Sequence, residues 1–393
     1  MELLHYIFWI SLFLLVYPYL VYPALLRALA RWFPANRRLP ESAGELPGVT
    51  LIISAYNEEK VIARKLQNAL ELDYPAEMLD ILVISDASSD RTDEIVREWQ
   101  ERHPNLRLLR QNARNGKTAG LNQGVRIAKG AVVVFSDANA MYRKNALREL
   151  VKYFASPRVG YVVGAALYNR GGASEATESE GMYWDMELTL KELESRFYSV
   201  VGGDGAIYAI RKELYWNLDP DDINDFVNPL QIVAKGYRGI FNPGAICFED
   251  AAEAFGKEFR RKRRIVNRSW RAVRKYLGWF QPLRQGRFLF ALFSHKVIRW
   301  LNLLFLGLML LSSGLIALFS PHWFYLLSFA GLLFTLLLAG AGAALDRRGK
   351  AIPRLLYLPY YYYLVNLAAL LGIWDDFRGE RYAVWEHVRE AGR

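Results

Sequence analysis

The sequence predicts an α/β fold: a Rossmann-related domain with a mostly parallel sheet, plus transmembrane helices. Apolar strands alternate with helical stretches from Val49 to Phe135, the pattern of right-handed crossovers into a parallel sheet. Three strands run directly into polar or acidic turns: Leu51–Ile53 into Ser54-Ala55-Tyr56-Asn57-Glu58-Glu59, Ile81–Ile84 into Ser85-Asp86, and Ala131–Phe135 into Ser136-Asp137-Ala138-Asn139. Long uncharged runs flank this region on both sides.

The flanking runs come first in the chain order. Leu3–Leu26, Trp300–Phe319 and Trp323–Leu345 carry no Asp, Glu, Lys or Arg, and each reaches the ~20 residues needed to cross a bilayer core. The first starts with Glu2 rather than basic residues and exceeds a signal-peptide core, so an uncleaved anchor is expected. Leu355–Trp374 is also uncharged but holds Pro359 and four consecutive tyrosines, residues suited to the interface. It either crosses, leaving the tail outside, or stays interfacial, leaving the tail inside. Arg and Lys cluster at residues 27–38, 284–299 and 347–350, which puts the central region on the cytosolic side of a multi-pass cell (inner) membrane protein. The expected organisation is an anchor at 1–34, a linker at 35–48, a cytosolic domain at 49–254, basic amphipathic interface helices at 255–295, a membrane region of two or three spans at 296–376, and a tail at 377–393.

The charged fraction of 23% excludes a disordered chain, and the net charge of +10 invites a nucleic-acid reading. The bases lie beside the apolar runs, so attraction to anionic membrane lipids accounts for them and no nucleic-acid partner is expected. The single cysteine, Cys247, excludes an internal disulfide and a Cys-based zinc site.

Within the domain, helices are expected at Glu59–Leu72, Arg91–Arg102 and Lys117–Lys129, between strands at Leu79–Ile84, Leu106–Leu109 and Ala131–Phe135. Beyond Asn145 come a helix at Ala146–Phe154, a strand at Val159–Ala165, a surface loop at Asn169–Glu180 and a helix at Glu180–Tyr198. Strand Ala206–Ile210, an acidic loop at Asp219–Asp225, a helix at Pro229–Lys235 and a basic helix at Glu258–Tyr276 follow. In open α/β sheets the carboxyl ends of the strands line the ligand crevice. A crevice fed by Asp86 and Asp137 suits a diphosphate bridged by Mg²⁺, a cation that takes hard oxygen ligands.

Taken in order, these motifs resemble the family 2 membrane-anchored glycosyltransferases, which include hyaluronan, cellulose and poly-N-acetylglucosamine synthases. The resemblance covers roughly Val49–Tyr276 and implies a GT-A-like domain, a nucleotide-sugar donor (a UDP-sugar by preference), and Mg²⁺ or Mn²⁺. It implies that Ala55, Tyr56 and Glu58 form the nucleotide loop, with Tyr56 on the base. Asp86 would contact base and ribose, and Lys117, in Gly116-Lys117-Thr118-Ala119-Gly120-Leu121-Asn122, would approach the nucleotide. Asp137 and Asn139 occupy the Asp-X-Asp metal position, the second carboxylate being replaced by an amide. The alternative for each, taken singly, is a polar turn or a helix cap.

Asp225 falls at the family's catalytic aspartate, where a general base takes the acceptor hydroxyl proton. Only the last residue of the Thr-Glu-Asp motif is kept, so Asp221 and Asp222 are alternatives. Gly203 and Asp204 resemble the loop facing the donor sugar. Arg261 and Arg264 sit at the Gln-X-X-Arg-Trp motif, Arg264 to stabilise the departing diphosphate. Ile265 replaces the tryptophan, and a shifted register through Arg268 and Trp270 is open. The reaction expected is inverting transfer to a growing polysaccharide. Four or so spans are few for a pore, which calls for a homo-oligomer or an export partner. A lipid-linked acceptor (polyprenyl-phosphate or glycolipid) and a non-catalytic nucleotide-sugar-binding subunit are the alternatives.

Overall fold

The computed structural model describes residues 1–35, 45–169, 175–250, 255–320 and 322–382. Most of the expected linker and the tail beyond Tyr382 lie outside them. The strands are β1 (Val49–Ala55), β2 (Leu79–Ser85), β3 (Leu106–Arg110), β4 (Val132–Asp137), β5 (Met141–Tyr142), β6 (Val159–Asn169), β7 (Tyr208–Arg211) and β8 (Arg238–Asp250). They form one sheet in the order β3-β2-β1-β4-β7-β6-β8-β5. β3, β2, β1 and β4 are mutually parallel; β7 opposes both neighbours, β6 and β8 are parallel, and β5 opposes β8. The sheet is GT-A-like, mixed and mostly parallel, as the strand and helix pattern predicts.

All seven residues of β1 and of β2 are buried, the signature of a sheet covered on both faces. Alternation divides them between two cores. Ile52, Leu82 and Ile84 face one, while Leu51, Ile53, Ile81 and Val83 face the other. The crossovers are α3 (Ile62–Leu70), α4 (Thr92–Gln100) and α5 (Lys117–Ile127), with α6 (Ala146–Val151) before β6. α3 starts later than expected because Glu59 is taken up in bracing two strand-end loops: its N–H donates to Asp90 Oδ2 (3.0 Å) and its carboxylate accepts from Arg91 N (3.2 Å).

Three expectations past Asn145 are corrected. The polar stretch ends in helix α7 (Glu175–Phe197), where a surface loop to Glu180 is expected. α8 (Asn224–Ala234) begins five residues before Pro229, so Asp225 lies in a first helical turn rather than an acidic loop. β8 has no expected counterpart, because Asn242-Pro243-Gly244 reads as a turn. The strand accommodates it by slipping register against β6 between Val163 and Ala165, with Asn242 Nδ2 donating to Glu149 O (2.8 Å).

The remaining helices are α9 (Phe255–Tyr276), α10 (Pro282–Leu292), α11 (Ile298–Trp300), α12 (Asn302–Phe319), α13 (Trp323–Arg347) and α14 (Arg354–Phe377). The chain opens with α1 (Glu2–Val16), a π turn (Tyr17–Val21) and α2 (Tyr22–Trp32). Pro18 has no N–H to continue the α ladder, which accounts for the irregular turn. Four segments, Glu2–Trp32, Asn302–Phe319, Trp323–Arg347 and Arg354–Phe377, are long and apolar enough to cross a membrane. Phe8, Met309, Ile316 and Tyr325 fill the space shared by α1, α12 and α13.

α14 behaves differently. Near its start, Tyr357 and Tyr360 contact Phe255 of α9 at ring distances of 5.2 and 5.0 Å. Near its end, Asp375 pairs with Arg263 (2.6 Å) and Asp376 with Arg271 (2.8 Å) and Arg274 (2.5 Å). Glu380 O then accepts from Arg271 (2.8 Å), and Arg381 pairs with Asp221 of the domain. Both ends of α14 therefore pack on α9, and its first half also lies along α13, where Tyr360 OH donates to Asp346 Oδ2 (2.7 Å). Arg263, Arg271 and Arg274, expected to meet headgroups, are turned onto protein carboxylates instead.

Candidate active site

The carboxyl ends of β1, β2 and β4 open on one rim, with β1 connecting outward in opposite directions to β2 and β4. Two non-glycine residues there adopt positive φ: Asn57 (52°) after β1 and Ala87 (54°) after β2. Ala87 has no polar side chain to offset the strain, so the surroundings must hold it. They do: Ser89 N donates to Asn57 Oδ1 (2.8 Å), Asn57 N to Ser88 Oγ (3.1 Å), and Asp86 N to Ala55 O (3.0 Å). Glu58, buried, anchors its N–H on Thr92 Oγ1 (2.8 Å). Tyr56 presents its ring to the Arg114 guanidinium at 4.2 Å, a flat surface of the kind on which a base can stack.

Asp86 is buried and accepts from Gln111 Nε2 (2.8 Å), Asn115 N (2.9 Å) and Gly116 N (3.0 Å). It thereby fixes the loop that ends in Gly116, whose φ of 85° sets the start of α5. The next residue, Lys117, carries its ammonium 2.5 Å from Asp137 Oδ1. Thr118 and Asn122 of the same helix are structural: Thr118 Oγ1 donates to Asp222 O (2.9 Å) and Asn122 Nδ2 to Leu218 O (2.8 Å). Helix α5 thus sets the path of the chain leading to Asp225.

Asp225 is placed by a backbone device. Pro229 lacks the N–H that would bond to the carbonyl four residues earlier, which leaves Asp225 O open to accept from Gly203 N. Only a glycine permits this, since a Cβ at Gly203 would lie 2.8 Å from that oxygen. Gly205 N then donates to Asp225 Oδ2 (3.1 Å), while Oδ1 is buried without a protein partner. A Cβ placed on Gly205 would lie 3.3 Å from Asp225 Oδ2, 3.7 Å from Lys117 Nζ and 3.8 Å from Asp137 Oδ2. One small space is therefore shared by a general-base candidate, a cation and the strand-end aspartate. Burial raises the Asp225 carboxyl above its ordinary pKa; Asp204 and Asp137 add to the rise, and Lys117 and Arg268 oppose it.

Asp204 joins through Lys191 of α7, at 3.1 Å. Asp221 and Asp222, the alternative bases, are committed elsewhere: Asp221 to Arg271 (2.5 Å) and Arg381, Asp222 to Lys275 (3.2 Å) and the Tyr276 hydroxyl (3.1 Å). Arg261 pairs with Glu258 in its own helix (2.7 Å). Arg264 lies near Arg268, whose pKa falls to about 10 through burial and then through Arg264. Arg268 donates to Asp221 O (2.9 Å) and Thr118 Oγ1 (3.2 Å), so the shifted register brings an arginine onto the loop before Asp225.

Glu249, at the end of β8, was invisible in the sequence pattern. β5 pairs Met141 with Phe248, which sets Glu249 level with the turn after Asp137. Burial, with Asp137 and Asp204 beside it, pushes its carboxyl up to about 8. An excess of negative charge gathered around the carboxylate of Asp137 and the half-buried amide of Asn139 fits a hard divalent cation. Among the described residues, no three His, Cys, Asp or Glu side chains form a preassembled metal cage, so a cation would also need oxygens from its ligand.

The class this sheet defines is the GT-A fold. Residues 50–219 match Glycosyl transferase family 2, and this part of the chain is a domain of that family. A mannosyltransferase from Pyrobaculum calidifontis, solved with GDP-Man and Mn²⁺, superposes with a TM-score of 0.70 at 25% identity, over 95% of this chain and 99% of that one. The beta-monoglucosyldiacylglycerol synthase of Trichormus variabilis is 32% identical over 208 residues, 52% of this chain and 43% of that one. The poly-beta-1,6-N-acetyl-D-glucosamine synthase of Staphylococcus aureus is 24% identical over 286 residues, 70% and 68% of the two chains. The matched part of the chain spans 64%, 43%, 33% and 43% of the length of four such curated relatives.

Proposed function

We propose that the protein is an inverting glycosyltransferase moving a sugar from a nucleoside-diphosphate donor to a lipid-borne acceptor at the cytosolic face of the membrane. The observation that carries this reading is the shared space around Gly205, where Asp225, Lys117 and Asp137 converge. In this reading Tyr56 and Arg114 receive the base, and Asp86 holds the 111–116 loop that delivers Lys117. Asp137 and Asn139 would hold the cation, which offsets phosphate charge as the diphosphate leaves. Gly203 and Asp204 border the donor sugar. Asp225, held by Gly203 and Gly205, takes the proton from the attacking hydroxyl. Arg264 and Arg268 stand ready for the leaving diphosphate, whose charge they would share.

The acceptor choice departs from the polysaccharide expectation. Side chains fill the space between α1, α12 and α13, and both ends of α14 pack on α9. This packing supports an acceptor that meets the enzyme at the bilayer surface over a polymer threaded through a single chain. The relatives' names include a diacylglycerol-based product and a polymer. Purified protein in detergent, supplied with radiolabelled UDP-glucose, UDP-N-acetylglucosamine, UDP-galactose or GDP-mannose and Mn²⁺, tests the reading on native membrane lipid extract. Chloroform-extractable label is expected. Ethanol-insoluble label would return the polymer reading, with its oligomer or export partner, and no donor turnover at all would favour a non-catalytic subunit.

A further inference from the structure

Asp225 is flanked on its helix by two buried amides. Asn224 stands where the Thr-Glu-Asp motif would carry glutamate, and Asn228 lies one turn later on the same face. Their side chains converge on one atom. Asn224 Nδ2 donates to the Tyr208 hydroxyl at 2.8 Å, and Asn228 Nδ2 donates to it at 3.0 Å.

Tyr208 lies on β7 and is wholly buried. Its ring stacks at 4.7 Å on Phe135 of β4, the residue it pairs with across the two strands. Phe135 precedes Asp137 by two positions on the same strand. The ring also lies against Gly203, where an added Cβ would come within 3.3 Å of Tyr208 Cγ. One side chain therefore touches the strand that carries Asp137, the loop that donates to Asp225 O, and the helix that carries Asp225.

Packing alone does not require this arrangement. Three polar groups gathered in a core are less favourable than apolar side chains of the same size. Once satisfied, though, such a network holds a single arrangement where apolar surfaces tolerate several. What it holds here is the rotation of α8 about its axis. Asp225 is displaced from Asn224 by about 100° around the helix, so a turn gripped at Asn224 and Asn228 sets the direction of the Asp225 carboxylate. Its Oδ1, buried without a protein partner, is the atom whose aim is decided. Burial, and then the charge of Asp225, hold the Tyr208 phenol well above its ordinary pKa, so the hydroxyl stays neutral.

We infer that Tyr208 is a positioning residue for the transfer, holding Asp225 at a set distance from Asp137 so that base and donor phosphate flank the anomeric carbon. The inference rests on the glycosyltransferase reading and deepens it. Wholly buried, Tyr208 touches neither substrate and acts through the turn that carries the base. The geometry it protects is one in which the acceptor hydroxyl forms its bond to the anomeric carbon and gives its proton to Asp225. The bond from that carbon to the diphosphate oxygen breaks, and the electron pair leaves with the nucleoside diphosphate.

Tyr208→Phe keeps the ring on Phe135 and removes only the hydroxyl. It is compared, in the full-length protein in detergent, with Tyr74→Phe, whose hydroxyl donates to Pro47 O just before β1, away from the rim. The measurements are thermal unfolding and nucleoside-diphosphate release on native membrane lipid extract. The donor is whichever of UDP-glucose, UDP-N-acetylglucosamine, UDP-galactose and GDP-mannose is turned over. Tyr208→Phe is expected to lower kcat by about 10–100-fold with the donor KM unchanged, while Tyr74→Phe leaves kcat in place. The triple variant Tyr208→Phe/Asn224→Leu/Asn228→Leu strands no amide, so its unfolding midpoint should recover while kcat stays low. Asn228→Leu alone repeats the test from the helix side should Tyr208→Phe not fold, with the same fall in kcat expected. A wild-type kcat in Tyr208→Phe, a loss carried by donor KM alone, or an equal loss in Tyr74→Phe overturns the inference. So does a triple variant that regains kcat together with stability, because the hydroxyl would then serve only to satisfy its amides. A wild type without any donor turnover would overturn the glycosyltransferase reading and this inference with it, so the wild type tells the two failures apart.

Discussion

Asp225 concentrates the chemistry of the rim in one carboxylate. Its pKa is raised by burial and by Asp204 and Asp137, so the native state holds this proton more tightly than the unfolded chain does. The sign follows: the stability this group contributes is present below the unfolded carboxylate pKa and is lost as pH rises through the folded one. Asp225→Asn is therefore expected to leave the unfolding midpoint at pH 7 unchanged or higher, while transfer falls by about 10²–10⁴-fold. Thermal unfolding and a donor-turnover assay on the same sample check both halves. In the wild type, the acid limb of kcat/KM should lie above the range of an ordinary aspartate, because the base must be ionised to work. A pH–rate profile with its midpoint near pH 4 would remove Asp225 from that role. The sequence pointed to this residue through its motif position but left Asp221 and Asp222 open. What separates them is that α9 neutralises those two and leaves Asp225 Oδ1 without a partner.

At the scale of elements, the loop before β7 and the helix after it are locked by a missing hydrogen. Pro229 leaves Asp225 O open, and Gly203 approaches it as only a glycine can. Gly203→Ala should displace Asp225 and reduce turnover by about 10²-fold while the chain still folds. Donor turnover and near-ultraviolet circular dichroism measured together distinguish this from unfolding. The α9–α14 contact carries a different kind of strength. Arg271 is buried between Asp221 and Asp376, so Arg271→Ala strands two carboxylates and should cost about 3–5 kcal/mol, read as a lowered unfolding midpoint in detergent. The periodicity of α9 is plain in the sequence, and its bases read there as lipid-facing. Their true partners lie more than 100 positions away on α14, a distance no local pattern spans. β8 was hidden for the opposite reason: Asn242-Pro243-Gly244 has the local chemistry of a turn, and the pairing with β6 overrides it.

For the whole molecule, the sheet, the basic helix and the apolar helices form a connected body, because Tyr22, Leu26 and Ala30 of α2 share a core with Phe197, Val273 and Phe288. This fixes the rim relative to the apolar helices. It also makes the topology testable. With both ends of α14 packed on the basic helix α9, single cysteines at Lys350 and Arg378 should react with a membrane-impermeant maleimide from the same face, in a Cys247→Ser background. Labelling from opposite faces would mean that α14 crosses, and the parity of the spans would change with it.

The sequence by itself determined the α/β class, the apolar segments and the rim aspartates. Each of these is written in short-range periodicity or in turns at strand ends, where a residue's neighbours decide its state. Tertiary structure alone decided which carboxylates are neutralised, which arginines meet protein rather than lipid, and where Glu249 and Lys191 stand. Those outcomes depend on charges brought together from distant positions, and burial sets their strength only once the chain has closed around them.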